Sequence, residues 1–229
     1  MLPEQFCVRM KEMLGEEYAA FYASYDLPKY QALRINPLKT ERDTFLLQAP
    51  FSLNRVPWTT NGYYYSGNDQ PGRHPYHEAG VYYIQEPSAM APAEYLMAEP
   101  GERILDLCAA PGGKSTQIAC SMQGEGLIVC NEIHPARAKI LSENIERMGV
   151  CNALVTNETP QKLSDNFREY FDRILVDAPC SGEGMFRKNE DACDEWSPEN
   201  VENCAARQAE ILDLSLIHIS EPTRLLSIS

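Results

Sequence analysis

Residues 105–115 read Leu105-Asp106-Leu107-Cys108-Ala109-Ala110-Pro111-Gly112-Gly113-Lys114-Ser115: the end of an apolar run, a turn of small side chains, and the start of an amphipathic segment. A ligand can lie against such a backbone because alanine and glycine leave room for it, and the helix that follows offers its free N–H groups at that point. Residues 103–108 read as the buried strand before the turn and 113–122 as the helix after it. The alternation continues with a strand at 127–131, a helix at 135–148 opened by Pro135, a strand at 153–156, a segment around 160–170 and a strand at 172–177. Strands separated by helices at this spacing predict right-handed crossovers and a Rossmann-like, doubly wound, mainly parallel α/β sheet. Ligands of such sheets bind beyond the carboxyl ends of the strands, so the informative residues follow Leu107, Val129, Val155 and Val176.

The 229 residues are 44% hydrophobic and 23% charged, which suits one or two folded domains and excludes a fibre or a disordered tail. The net charge is −13, and the acidity lies late: residues 1–80 hold 8 basic and 9 acidic side chains, residues 81–229 hold 12 and 24. There is no polybasic tail. Eight cysteines, at 7, 108, 120, 130, 151, 180, 193 and 204, form no CxxC pair, the pattern of free thiols rather than of a disulfide or zinc framework. The first eleven residues lack a cationic start followed by an apolar run, and no stretch approaches the roughly 18 apolar residues of a membrane span, so a cytoplasmic chain is expected.

Before the sheet, Phe6, Met10, Met13, Leu14, Tyr18, Phe21 and Tyr22 recur at helical spacing over 3–25 and predict one helix or a pair. A short strand at 32–36 stops at Pro37, and a Pro- and Tyr-rich stretch runs from 50 to 83. A domain boundary is placed near residue 80. His74 and His77 with Glu78 imitate metal spacing inside a Pro-rich loop, too weak a pattern for a metal site.

The Gly-Gly-Lys-Ser ending of the first loop invites a phosphate-loop reading, but that motif needs glycine five positions before Gly113, where Cys108 stands. GxGxxG is absent as well, which argues against a dinucleotide. A nucleoside-type ligand remains, and Glu132, 20 positions after Gly112 at the end of the second strand, stands where such folds put the carboxylate that holds a ribose diol.

Two long motifs, Asp106 to Lys114 and Asp177-Ala178-Pro179-Cys180-Ser181-Gly182, resemble those of the RNA cytosine-C5 methyltransferases of the RsmB/RsmF (Sun) type. Tyr83 to Met90, Arg207-Gln208 and Glu183-Gly184-Met185-Phe186-Arg187-Lys188 are similar to further family segments, the last pointing to the RsmF-like ribosomal-RNA branch. Leu33 to Lys39 resembles part of the family's amino-terminal RNA-side domain. The resemblance covers about residues 1–213 and implies a class I S-adenosyl-L-methionine-dependent fold with a smaller N-terminal α+β domain. It implies cofactor contacts from Cys108, Ala109, Ala110, Pro111, Gly112, Gly113, Lys114, Glu132 and Asp177. The family's acidic adenine contact has Thr159 at the ungapped position, and Asn157 or Glu158 is expected to substitute.

Carbon 5 of cytosine is a poor nucleophile, and addition of a thiolate to carbon 6 turns the ring into an enamine that can accept a methyl group there. The resemblance makes Cys180 the thiol that helps release product and Asp177 the group that reads the cytosine edge, with Lys114 assisting or orienting it. The family's nucleophile lies in a Thr-Cys pair on the next strand, and no Thr-Cys pair occurs in these 229 residues. The string from Leu214 to Arg224 resembles the in-frame translation of a sequencing-library adapter, so 1–80 is expected as the RNA-side domain, 81–213 as a truncated methyltransferase domain and 214–229 as a non-native tail, leaving a sheet edge open and the chain inactive alone. Ribosomal RNA is the expected partner, met by Arg34, Lys39, Arg187 and Lys188, with no metal, no membrane and a monomeric chain. Tyr63, Tyr64, Tyr65, Tyr76, Tyr82 and Tyr83 could stack on unpaired bases, with packing the commoner use. The rival readings are a non-catalytic cofactor- or RNA-binding module and a small-molecule methyltransferase.

Overall fold

The computed structural model describes residues 2–187, 191–216 and 219–228, with backbone alone for 216 and 219–228. In chain order its helices are α1 (Glu4–Leu14), α2 (Tyr18–Ala23), α3 (Arg42–Gln48), α4 (Pro75–Glu78), α5 (Pro87–Leu96), α6 (Gly113–Met122), α7 (Pro135–Met148), α8 (Pro160–Asn166), α9 (Asp191–Glu195) and α10 (Pro198–Leu216). The strands are β1 (Ala32–Ile35), β2 (Leu53–Arg55), β3 (Gly62–Tyr65), β4 (Tyr82–Ile84), β5 (Arg103–Asp106), β6 (Leu127–Asn131), β7 (Ala153–Thr156), β8 (Phe171–Asp177) and β9 (Ile219–Ile228). Two compact units result, one of residues 30–178 with 212–228, the other of residues 1–29 with 179–211.

In the larger unit a parallel sheet has the order β7-β6-β5-β8-β9. Leu105 is in register with Val129 on one side and Ile174 on the other. Both faces of β5 are covered, so Ile104 and Leu105 are fully buried together with Ile118, Ile128, Leu141 and Leu175. The chain runs outward from β5 through β6 to β7, then returns to β8 on the opposite side of β5. That reversal opens a crevice beyond Asp106 and Asp177, the place where open α/β sheets bind ligands. The edge of β8 expected to be open is paired in parallel with the backbone of Ile219–Ile228.

A second, antiparallel sheet of order β2-β3-β1-β4 occupies the stretch where only one strand is legible in the sequence. Here the Pro- and Gly-punctuated segment is three short strands, and Tyr63, Tyr82 and Tyr83 serve packing: each is buried, and the Tyr82 hydroxyl donates to Pro71 O at 2.7 Å. Helix α5 is a further addition, starting with Pro87 in its first turn, where the missing N–H would have no helical partner anyway. By packing, β1 groups with the parallel sheet, while residues 1–29 group with 179–211.

In the smaller unit Phe6 meets Phe186 and Trp196 edge-on, with ring centroids 5.0 and 5.7 Å apart. Glu183 Oε1 accepts from Arg9 Nη1 at 3.1 Å and Trp196 Nε1 at 3.0 Å, tying α1 to the segment after the Pro-Cys motif. Among the described residues no helix is long and apolar enough to cross a membrane.

Candidate cofactor and catalytic site

The loop from Leu107 to Gly112 is fixed from several directions. Its ends join the sheet, Leu107 N donating to Leu175 O at 3.0 Å and Ala109 N to Asn131 O at 2.8 Å. Its crest is held by α7, with Arg137 Nη2 donating to Ala110 O at 2.9 Å and Asn144 Nδ2 to Pro111 O at 2.8 Å. Gly112 has φ +109°, a conformation closed to residues with a Cβ, and an added Cβ would also sit 3.1 Å from Leu141 Cδ1. Gly113 then opens α6 and directs the first free amides of that helix toward the crevice.

Arg34 ties this loop to the antiparallel sheet. Its guanidinium is 1% exposed and donates through Nε to Gln85 Oε1 at 3.0 Å and through Nη2 to Gly113 O at 3.1 Å and Thr116 Oγ1 at 2.8 Å. Thr116 Oγ1 in turn donates to Gly112 O at 2.8 Å. Arg34 is therefore not the RNA contact that its basic character suggested, because burial and internal bonds consume it. Lys39 is exposed, and its Nζ donates to Ala79 O just past α4 and to Arg147 O near the end of α7, both at 2.7 Å. Arg187, in the smaller unit, donates from Nη2 to Leu27 O. Lys188 lies outside the described residues.

Glu132 is 3% exposed at the end of β6. Its Oε1 accepts from His134 N at 3.0 Å, and Oε2 faces Arg137 Nη1 at 3.3 Å, an arrangement that leaves lone pairs for a diol. Asn157 Nδ2 donates to Glu132 O at 2.6 Å, so one of the two residues expected at adenine stands beside Glu132. Asn131, which nothing in the sequence singled out, stitches three strand ends. Its Nδ2 donates to Leu107 O at 3.2 Å and Glu158 O at 3.0 Å, and its Oδ1 accepts from Thr156 Oγ1 at 2.9 Å.

On the other side of the loop Lys114 Nζ lies 2.6 Å from Asp177 Oδ2, both side chains partly buried. The contact joins the first turn of α6 to the end of β8, across 63 positions of sequence. Beneath it Asp106 is fully buried: Oδ2 accepts from Ser115 Oγ at 2.7 Å, and Oδ1 has no hydrogen-bond partner among the described residues. Burial lifts its carboxyl to about 6, against the pull of Ser115 and Lys114. Cys108 is pushed up to about 12, chiefly by burial and then by Asp106, Glu132 and Asp177. Cys180, three positions after Asp177 in the chain and part of the smaller unit, is exposed, and the preceding Pro179 O accepts from Gln208 Nε2 at 3.0 Å.

These residues fit S-adenosylmethionine. Glu132 would hold the ribose hydroxyls, the small-residue loop and the α6 amides would take the methionine end, and the carboxyl groups of Asp106, with its Oδ1 unsatisfied, and Asp177 would face a sulfonium and an ammonium.

Compared with known proteins, residues 93–226 match the family model for 16S rRNA methyltransferase RsmB/F, and residues 2–87 match the N-terminal domain of 16S rRNA methyltransferase RsmF. The chain is 39% identical over 222 residues to ribosomal RNA small subunit methyltransferase F of Escherichia coli O157:H7 (strain EC4115 / EHEC), covering 92% of this chain and 46% of that protein. A methyltransferase homolog protein from Pyrococcus horikoshii superimposes with TM-score 0.85 at 27% identity, covering 98% of this chain and 73% of that one. A structure of NSun6 from Pyrococcus horikoshii with SFG shares the fold at TM-score 0.85 and 20% identity, over 98% of this chain and 82% of the other. The chain spans about half the length of the curated relatives it matches.

Proposed function

We propose that this chain, which belongs to the 16S rRNA methyltransferase RsmB/F family, holds the cofactor- and base-binding parts of an enzyme that methylates carbon 5 of cytosine in ribosomal RNA. S-adenosylmethionine is the cofactor of the family, and when bound it would supply the methyl group. The observation that carries the reading is the 2.6 Å Lys114–Asp177 pair beside the loop, with Asp177 at a strand end and Cys180 three positions on.

Asp177 would accept from the cytosine amino group, where uracil presents a carbonyl that repels a carboxylate. Lys114 would orient Asp177 through the 2.6 Å contact. Cys180, which is exposed, would take the carbon-5 proton as a thiolate while the C5=C6 bond re-forms and the carbon-6 sulfur bond breaks, the adding cysteine leaving as a thiolate. That adding thiol is the part these 229 residues do not supply as a Thr-Cys pair, so the chain alone is expected to bind cofactor without turnover. The same sequence feature supports the second reading, a cofactor- and RNA-binding module without catalysis. A ribosomal target implies a cytoplasmic protein.

The test is methyl transfer from labelled cofactor to small-subunit ribosomal RNA, by this chain and by a fusion to the remaining half of the Escherichia coli relative. Labelled 5-methylcytosine in digested RNA from the fusion, and none with free nucleosides, supports the proposal. A label at another atom, or transfer to nucleosides alone, refutes it.

A further inference from the structure

The smaller unit contains a cavity of about 310 Å³ between the end of α2 and the segment preceding α9, lined by Tyr22, Tyr25, Phe186, Lys29, Arg187 and Cys193, with Asp26 at its wall. It belongs to neither the cofactor loop nor the Lys114–Asp177 pair, all of which lie in the larger unit. Three observations define what it could take. Aromatic surface is available: Tyr22 is 44% exposed despite its size, and Tyr25, which stands edge-on to Phe21 at 5.5 Å, lines the same space. Cationic groups accompany it, Lys29 exposed and Arg187 half-buried. Finally, Arg187 Nε is buried without a hydrogen-bond acceptor among the described residues, although Nη2 is anchored on Leu27 O. A buried guanidinium N–H left unbonded is unfavourable, and a bound acceptor would remove that cost.

The volume is at the lower end of small-ligand cavities, the scale of one nucleotide rather than a helical groove. A fatty chain would leave the Arg187 and Lys29 charges against hydrocarbon, and a metal cation would be repelled by them. An acidic peptide would satisfy the charges and make no use of the rings. An unpaired nucleotide uses both, because a base stacks on a tyrosine face while its phosphate accepts from lysine and arginine. We propose that this cavity binds one unpaired nucleotide of the RNA substrate, the base against Tyr22 or Tyr25 and the phosphate at Lys29 and Arg187. The inference rests on the reading of the chain as an RNA-binding member of its family, and it adds a subsite outside the reacting centre.

The experiment titrates the full chain with an unstructured RNA pentamer and, separately, with a nucleoside 5′-monophosphate, following the tyrosines by NMR after fluorotyrosine incorporation. Variants are Tyr22→Ala and Lys29→Gln, both at exposed positions that leave the fold intact, and Arg187→Met. Cofactor binding by each variant, measured by calorimetry, serves as the folding control. Loss of one base stack should weaken the pentamer about tenfold in Tyr22→Ala, with a comparable loss in Arg187→Met, a smaller one in Lys29→Gln and a reduced salt dependence in both charge variants. Pentamer binding by the wild type that all three variants retain overturns the subsite while leaving the RNA reading standing. Binding of the monophosphate but not of the pentamer overturns it in favour of a free-nucleotide site. If neither the pentamer nor intact ribosomal RNA binds, the RNA reading fails and the subsite with it.

Discussion

Replacing Arg34 with methionine should weaken both the fold and the cofactor site, by an amount the geometry allows to be set. Methionine fills most of the space of the arginine stem, so the loss is polar. Three hydrogen bonds of 2.8–3.1 Å disappear, to Gln85 Oε1, Gly113 O and Thr116 Oγ1, and the contact to Cys120 Sγ at 3.7 Å adds little. Bonds from a charged donor contribute about 1.5–3 kcal/mol each, but burying the guanidinium, whose ionisation is disfavoured chiefly by desolvation, offsets part of the sum. What remains is the cost of leaving Gln85 Oε1 without its donor in a buried site and of loosening the first turn of α6, together about 3 kcal/mol. With a urea dependence of about 2 kcal/mol per molar, the unfolding midpoint falls by about 1.5 M. Cofactor affinity, measured by calorimetry on the folded variant, should fall about tenfold, because Gly112 and Gly113 lose their tie to β1. A midpoint and an affinity both within error of wild type would refute the reasoning. An unchanged fold combined with an RNA-affinity salt slope reduced by about one would restore Arg34 as a phosphate contact.

Asp106 gives a pH dependence of definite sign. Its folded carboxyl titrates at about 6 against an ordinary 3.8, so the folded chain keeps a proton that the unfolded chain releases. Stability should therefore be full below about 4, fall by about 3 kcal/mol as pH rises to about 6, and level above it; Asp106→Asn should flatten that portion of a urea-midpoint profile, and a wild-type profile rising over the same range would exclude the assignment. Glu132→Gln keeps the shape but weakens the acceptor for a diol, and calorimetry should record a 10- to 100-fold loss of cofactor affinity, about 1.5–3 kcal/mol; an equal affinity would move the ribose elsewhere. Gly80→Ala forces a Cβ to 2.1 Å from Arg147 O at a φ of +68°, and thermal unfolding should show a loss of several kcal/mol, roughly 2–4, with no effect expected from Gly67→Ala, whose Cβ would meet nothing within 4 Å.

The parallel sheet was legible because its strands and helices are bounded by strong local signals. Pro135 at the start of α7, Gly149 after its end, and the small-residue turn before Gly113 place those elements within a residue of where they occur. The antiparallel sheet was not, since strands of three and four residues set among Pro50, Pro57, Pro71, Pro75 and Pro87 carry too little alternation to stand out from loop. Helix α5 was hidden by Pro87 and Pro92, which read as breakers although the first sits where a helix tolerates it. In the site, Glu132, Asp177 and the loop were visible through spacing and motif. Arg34 was misread because a basic side chain in a polar segment carries no mark of the acceptors that tertiary contact will bring to it. Asn131 and the grouping of residues 1–29 with 179–211 depend wholly on contacts distant in sequence, which no local pattern encodes.

The half-buried thiol of Cys108 has a consequence for chemical safety within the loop. A sulfonium methyl donor alkylates whatever strong nucleophile lies within reach, and a thiolate is among the strongest. With its acid dissociation pushed up to about 12, Cys108 is ionised at neutral pH in only about one molecule in 100,000. Burial and the three neighbouring carboxylates that raise it would thereby keep this sulfur in its unreactive protonated form with a methyl donor bound in the loop, so that the protein would not become its own substrate.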